Sequence, residues 1–246
     1  MSKKFSIIIP SYFEEKRIET ILSEFAKFRD EYDYEIILSD GGSTDRTVEI
    51  AQEFTEKIYK HTEKRRQTIA EGRNMGATLA ESDYYVFINA DALPKNMKEF
   101  LEQVSDWASG IGKFSGKDAI ACSVLPFPEE EKSGDKYFYS FFNFYFKFLN
   151  KIGIGMGRGE CQLITREIFE TENGYNKKFV AGEDFDLFRR IAKRGSVAFA
   201  SDIIIYESPR RFHKQGYFRT MIRWSLNALS VMFSGRSASK EWESVR

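Results

Sequence analysis

Three short apolar runs, Phe5 to Ile9, Tyr34 to Leu38 and Tyr84 to Ile88, each stop at a polar cluster, and the stretches between them carry helical periodicity. Compact runs of this kind read as strands buried within a sheet that is clad by helices. Between the first two, Glu14 to Phe28 puts Ile18, Ile21, Leu22 and Phe25 at helical spacing. After the second, Thr47 to Phe54 turns Val48 and Ala51 inward, Lys57 to Lys60 makes a short strand, and Gln67 to Ala80 a further helix. Strands alternating with helices imply βαβ units and a mostly parallel sheet. Ligands of such sheets bind beyond the carboxyl ends of the strands. There the clusters Pro10-Ser11-Tyr12, Ser39 to Asp45 and Asn89-Ala90-Asp91 are expected to line one cleft.

The second half is less regular. Ala119 to Leu125 and Cys161 to Thr165 read as strands, Glu183 to Arg194 as a helix stopped by Gly195, and Val197 to Tyr206 as one or two strands. Gly216 to Phe233 reads as an amphipathic helix, with Trp224, Leu226, Leu229, Val231, Met232 and Phe233 as its apolar positions. No repeat or Pro/Gly/Ser-rich linker divides the chain, so its 246 residues are expected to form one α/β domain. Lys+Arg and Asp+Glu both number 37, which gives no electrostatic reason to expect a nucleic-acid partner. Cys122 and Cys161 have neither a disulfide-framework nor a metal-knuckle spacing and read as buried thiols. The start, Met1 to Phe5, does not read as a signal peptide, and no run reaches the ~20 apolar residues of a membrane span. A cytoplasmic location follows as the expectation. Membrane contact stays open because aromatics, 15% of the chain, crowd into Tyr137 to Phe148. With Lys147 and Lys151 nearby, that stretch suits either an interfacial segment or a lipid-acceptor groove, and equally a buried helix or a dimer interface.

Three clusters carry chemistry. In Asp40-Gly41-Gly42-Ser43-Thr44-Asp45 the glycines let backbone approach a ligand and Ser43, Thr44 or Asp45 can cap the next helix; a plain strand-to-helix turn reads the same way. The segment has neither the Gly-x-Gly-x-x-Gly fingerprint nor the Walker lysine, so dinucleotide and P-loop sites are unsupported. Asp91, at a strand end behind the small Ala90, suits a hard cation that bridges phosphates, or simply opens a turn before Pro94. Gly182-Glu183-Asp184-Phe185-Asp186 gathers carboxylates at a helix start, as capping residues or as a general base. Arg65, Arg66, Arg73, Arg210, Arg211 and Arg219 are candidate phosphate clamps, although arginines are usually just solvated.

Taken in order, Phe5 to Pro10, Asp40 to Asp45, Gly72-Arg73-Asn74-Met75-Gly76, Asn89-Ala90-Asp91 and Gly182-Glu183-Asp184 resemble the inverting nucleotide-sugar glycosyltransferases of the GT-A fold. The closer likeness is to the dolichol-phosphate-mannose-synthase-like members of family 2. The resemblance implies a Rossmann-like, mixed but mostly parallel sheet flanked by helices. It divides the domain into a nucleotide-binding half (1–94), an acceptor and catalytic half (95–215) and a C-terminal helix and tail (216–246). It also implies that Pro10, Ser11, Tyr12, Glu14, Gly42, Ser43, Gly72 and Asn74 border the nucleotide, that Asp40 contacts the base, and that Arg66, Arg210 and Arg211 serve the phosphates. Asn89, Ala90 and Asp91 occupy its Asp-x-Asp motif, with Asp91 the ligand of Mg²⁺ or Mn²⁺; Asp184 is the base and Glu183 its neighbour; His213 is a further metal-ligand candidate.

Two departures stand out. Asn89 replaces the first acid of the motif, and the Gln-x-x-Arg-Trp ending of processive synthases is absent, which favours single-sugar transfer. The expected substrates are a UDP- or GDP-sugar and a sugar, polyprenyl-phosphate or protein-linked acceptor, met in the cytoplasm or at the inner face of the cell membrane. Two rival readings are a non-catalytic nucleotide-sugar-binding protein, suggested by Asn89, and a sugar nucleotidyltransferase, whose glycine-rich, lysine-bearing signature does not follow the first strand.

Overall fold

The structure, a computed structural model, describes residues 4–234. The side chains of Leu229, Val231, Met232 and Phe233, four of the apolar positions expected on the last helix, lie outside the described residues.

One eight-stranded sheet organises the described chain, in the order β3-β2-β1-β4-β7-β6-β8-β5. Strands β1 (Phe5–Ser11), β2 (Tyr34–Asp40), β3 (Ile58–Lys60) and β4 (Tyr84–Ile88) are mutually parallel. Beyond β4, the strand β7 (Cys161–Thr165) runs antiparallel to both β4 and β6 (Ala119–Pro126). Strand β8 (Val197–Glu207) is parallel to β6, with a register shift at Cys122/Ser123, and β5 (Ala92–Pro94) closes the far edge antiparallel to β8.

The burial follows strand alternation. Phe5, Ile7 and Ile9 of β1 face α1 (Ile18–Ala26), α2 (Thr47–Gln52) and α4 (Met97–Ala108), in a core that holds Ile21, Phe25, Ile50, Leu101 and Trp107. Ile8, with Ile37, Tyr85 and Phe87, faces the other way, toward α3 (Ile69–Thr78), α6 (Arg166–Thr171) and α7 (Glu183–Arg194). Helix α3 starts on a capping box between Thr68 and Glu71 and comes very close to the sheet at Gly76. A Cβ there would lie 2.4 Å from Ile8 Cγ2.

A third, smaller cluster joins α5 (Asp135–Lys151), α8 (Arg210–Gln215) and α9 (Tyr217–Ser234), where Tyr139 and Phe212 are buried among Phe138, Tyr217 and Trp224. The aromatic stretch is therefore a helix with one face inside. Its other face is exposed, Tyr137 at 82%, Phe144 at 69% and Phe148 at 48%, and α9 likewise exposes Phe218 and Leu226.

Several elements were not anticipated. Strand β1 runs through Pro10 to Ser11, because its pairing with β4 ends at Ile8 and a strand flanked on one side tolerates a residue without N–H. Strand β5 is too short to carry a pattern of its own. Helix α4 does carry one, Phe100, Leu101, Val104 and Trp107 behind an Asn96 cap. Helices α6 and α8 span only six residues each, too few for a period to register.

Candidate active site

A cleft of about 520 Å³ opens at the carboxyl ends of β1, β2 and β4 and is walled on its far side by α8 and α9. Of the residues expected around a nucleotide, Pro10, Ser11, Tyr12 and Glu14 line it from the end of β1, and Arg66 and Gly72 from the start of α3. Asn89, Ala90 and Asp91 line it from the end of β4, and Arg210 and Arg211 from α8. The Arg66 guanidinium lies over the Tyr12 ring, 5.0 Å from its centroid.

Asp40 does not line the cleft. It is fully buried, with Oδ1 accepting from the N–H groups of Gly42 and Ser43 and Oδ2 from the hydroxyls of Ser11 and Ser43. These bonds fold the loop into a tight turn in which Gly42 has φ +96°, and it is Gly41 that faces the cavity. Ser43 also accepts from Phe13 N–H, so the loop anchors the chain after β1. Asn74 is likewise engaged by the protein, donating to Tyr175 O and accepting from Tyr175 N–H.

The base of the site is organised by Arg73, which is 1% exposed. Its guanidinium donates to Glu183 Oε1 (2.9 Å), Asn89 Oδ1 (3.2 Å) and Gly159 O (2.7 Å), and it stacks 5.2 Å from the Tyr175 centroid. Of the expected phosphate clamps, Arg73 is thus committed to the fold, and Arg65 pairs with Glu71. The amide at position 89 accepts one of Arg73's hydrogen bonds without adding charge. Glu183 and Asp184 open α7 behind Gly182, whose φ of +85° turns the chain into the helix. Asp184 Oδ1 accepts from Phe185 N–H. A Cβ on Gly159 would lie 3.4 Å from Asp184 Oδ2, so this carboxyl sits against the segment that leads to cleft-lining Glu160. Burial first, then the neighbouring Glu183, push its pKa up to about 7 against the pull of Arg73.

Asp91 pairs with Arg210, which also lines the cleft, at 2.8 Å. Among the described residues no group of three His, Cys, Asp or Glu is placed to hold a metal ion. The donor set fits Mg²⁺ or Mn²⁺ only as a single carboxylate that shares the ion with phosphate oxygens. His213 is turned away from that position: its Nε2 lies 2.9 Å from Asp135 Oδ2, and the buried Asp135 also accepts from the Tyr217 hydroxyl and from Lys132 N–H.

Residues that sequence reading did not single out complete the wall. Arg158, 4% exposed, donates to both Glu160 (3.1 Å) and Glu207, two carboxyls that line the cleft. Val180, Phe212 and Trp224 add apolar surface. Glu160 and Glu207 stand at strand ends beside polar or small residues and belong to no motif, so only the fold brings them together.

A sheet with a parallel nucleotide-side half, an Asx-x-Asp turn at its centre and a Glu-Asp helix start beside it defines the GT-A class of glycosyltransferases. Within that class the chain belongs to Glycosyl transferase family 2, whose profile matches residues 6–172. Among curated relatives it is 28% identical to a Methanococcus voltae enzyme, over 85% of this chain and 70% of the relative. That enzyme is dolichyl N-acetyl-α-D-glucosaminyl phosphate 3-β-D-2,3-diacetamido-2,3-dideoxy-β-D-glucuronosyltransferase. This chain is also 28% identical to the dolichyl-phosphate β-glucosyltransferase of Mus musculus, over 68% of this chain and 56% of that protein. The solved structure of the Pyrobaculum calidifontis mannosyltransferase PcManGT with GDP-Man and Mn²⁺ superposes with a TM-score of 0.69 at 20% identity, covering 96% of this chain and 64% of that one. The chain therefore spans between about half and seven-tenths of these proteins' lengths.

Proposed function

We propose that the protein transfers one sugar, with inversion, from a nucleoside-diphosphate sugar to a hydroxyl of a lipid-linked acceptor. The observation that carries this reading is Arg73, which ties Asn89, two residues before Asp91, to Glu183, the neighbour of Asp184. One buried guanidinium thus sets the spacing between the phosphate end of the cleft and the carboxyl that serves as base. The relatives' dolichyl acceptors and the GDP-Man and Mn²⁺ of the structural neighbour support the choice of substrates.

In this reading Tyr12 and Arg66 border the nucleotide, and Arg210 and Arg211 bind the diphosphate as charge builds on the leaving group. Asp91, with the diphosphate oxygens, would hold Mg²⁺ or Mn²⁺, which supplies Lewis-acid stabilisation of that charge. Asp184 takes the proton of the attacking hydroxyl, and its raised proton affinity suits that task near neutral pH. The exposed aromatic face of α5 and α9 supports delivery of the acceptor from a lipid surface: Trp224 of α9 lines the cleft, while Phe218 and Leu226 of the same helix face outward. No helix among the described residues is long and apolar enough to cross a membrane.

The test is a panel of UDP-, GDP- and dTDP-sugars with Mn²⁺ or Mg²⁺, followed by thermal shift and release of nucleoside diphosphate. Stabilisation by one donor that is lost with EDTA and in Asp91→Ala is the expected result. Metal-independent binding without release in the presence of lipid-linked acceptors would favour the binding-protein reading, and release of pyrophosphate the nucleotidyltransferase.

A further inference from the structure

We infer that Arg158, Glu160 and Glu207 form a specificity wall that takes the hydroxyl groups of the donor sugar, an assignment that rests on the transferase reading above. Glu160 lies in the turn just before β7 and Glu207 at the end of β8, 47 positions apart in the chain, and they meet on one buried guanidinium. That guanidinium lies against two aromatic rings, 5.4 Å from the centroid of the buried Tyr139 and 5.9 Å from that of cleft-lining Trp224. Its positive charge is directed at the two carboxyls, and the carboxyls, not the arginine, line the cavity. A buried cation that braces two acids against a cleft holds them in fixed geometry, which is what recognition of a hydroxylated ring needs.

Their place in the sheet says which part of the substrate they meet. Glu207 pairs in register with Ala92, the residue after Asp91, and Glu160 O accepts from Asn89 N–H, so both flank the Asn89-Ala90-Asp91 turn. On the other side, Gly159, adjacent to Glu160, abuts Asp184. The wall therefore lies between the carboxylate at the diphosphate end and the carboxyl that receives the acceptor's proton. In a transfer reaction the donor sugar occupies that interval. Glu160 and Glu207 bond to Arg158 and also to each other, and the carboxyl lone pairs that these bonds leave are acceptors for which the hydroxyls of a sugar ring are matching donors.

Titration calorimetry in Mn²⁺ with UDP against UDP-glucose, and GDP against GDP-mannose, tests this on the wild type and on Glu160→Gln/Glu207→Gln. The variant is expected to raise the ratio of sugar-nucleotide Kd to diphosphate Kd at least fivefold, with the diphosphate Kd unchanged within twofold. An unchanged ratio overturns the inference. So does a parallel loss of both affinities, which would make the triad a structural or nucleotide-side element. Should the double variant not fold, Glu160→Gln alone, which leaves Glu207 to pair with Arg158, is read by the same ratio. Wild-type protein that binds none of these four ligands, and no dTDP-sugar of the panel above, would remove the transferase reading, and this inference with it.

Discussion

In the proposed reading Asp184 and Arg73 have opposite roles, one to give up charge and one to keep it. For a hydroxyl acceptor, Asp184→Asn is expected to lower kcat by about 10²- to 10⁴-fold while donor binding holds. A fall of only a few-fold would mean an acceptor that is already ionised, such as a polyprenyl phosphate. In the wild type, kcat/KM should rise with pH through about 7 and level off above it, as the carboxyl ionises. The same group affects stability with the opposite sign. Its pKa is raised in the folded state, so the folded protein is favoured while the group is protonated, and that contribution is lost as pH rises through about 7. Melting temperatures measured on either side of neutrality should fall less in Asp184→Asn than in the wild type. Arg73→Met removes the partner of a buried Glu183 and a donor to Asn89, and is expected to cost about 3–5 kcal/mol in urea unfolding, as broken buried pairs do.

At the scale of elements, α3 approaches β1 and β2 closely at Gly76. Gly76→Ala would push a methyl into Ile8 and crowd Ser39 Cβ at 3.3 Å, with an expected loss of about 1–3 kcal/mol read from the denaturation midpoint. The helix and the three long parallel strands were legible because compact apolar runs and helical spacing mark them directly. The turn residues Asn89 to Asp91 and the start of α7 were legible because motif order survives in the chain. Other parts were not. Asp40 has the residue type and position of a ligand contact, yet its four hydrogen bonds go to Ser11, Gly42 and Ser43, a closure visible only once the loop is folded. His213 is similar, drawn to Asp135 by the packing of α8 on α5. The Arg158 triad depends on strands that meet through the order β7-β6-β8, which no local pattern encodes.

For the whole molecule, α5 and α9, which pack on each other through Phe142 and Trp224, both leave large apolar side chains exposed. Replacing Tyr137, Phe144 and Phe148 with serine should abolish flotation with anionic vesicles and leave turnover on a short-chain, water-soluble acceptor within about twofold; exposed substitutions of this kind rarely disturb a fold. The sheet order has a consequence of its own during synthesis. Strand β4 leaves the ribosome with β1 as its neighbour, but its other partner, β7, ends at Thr165, and β5 has no partner until Glu207. At the usual pace of translation the outer edge of β4 stays open for roughly 4–15 seconds. Open strand edges invite pairing with other chains. The nascent first half is therefore the stage at which that edge is open to other chains, and slower translation lengthens the exposure.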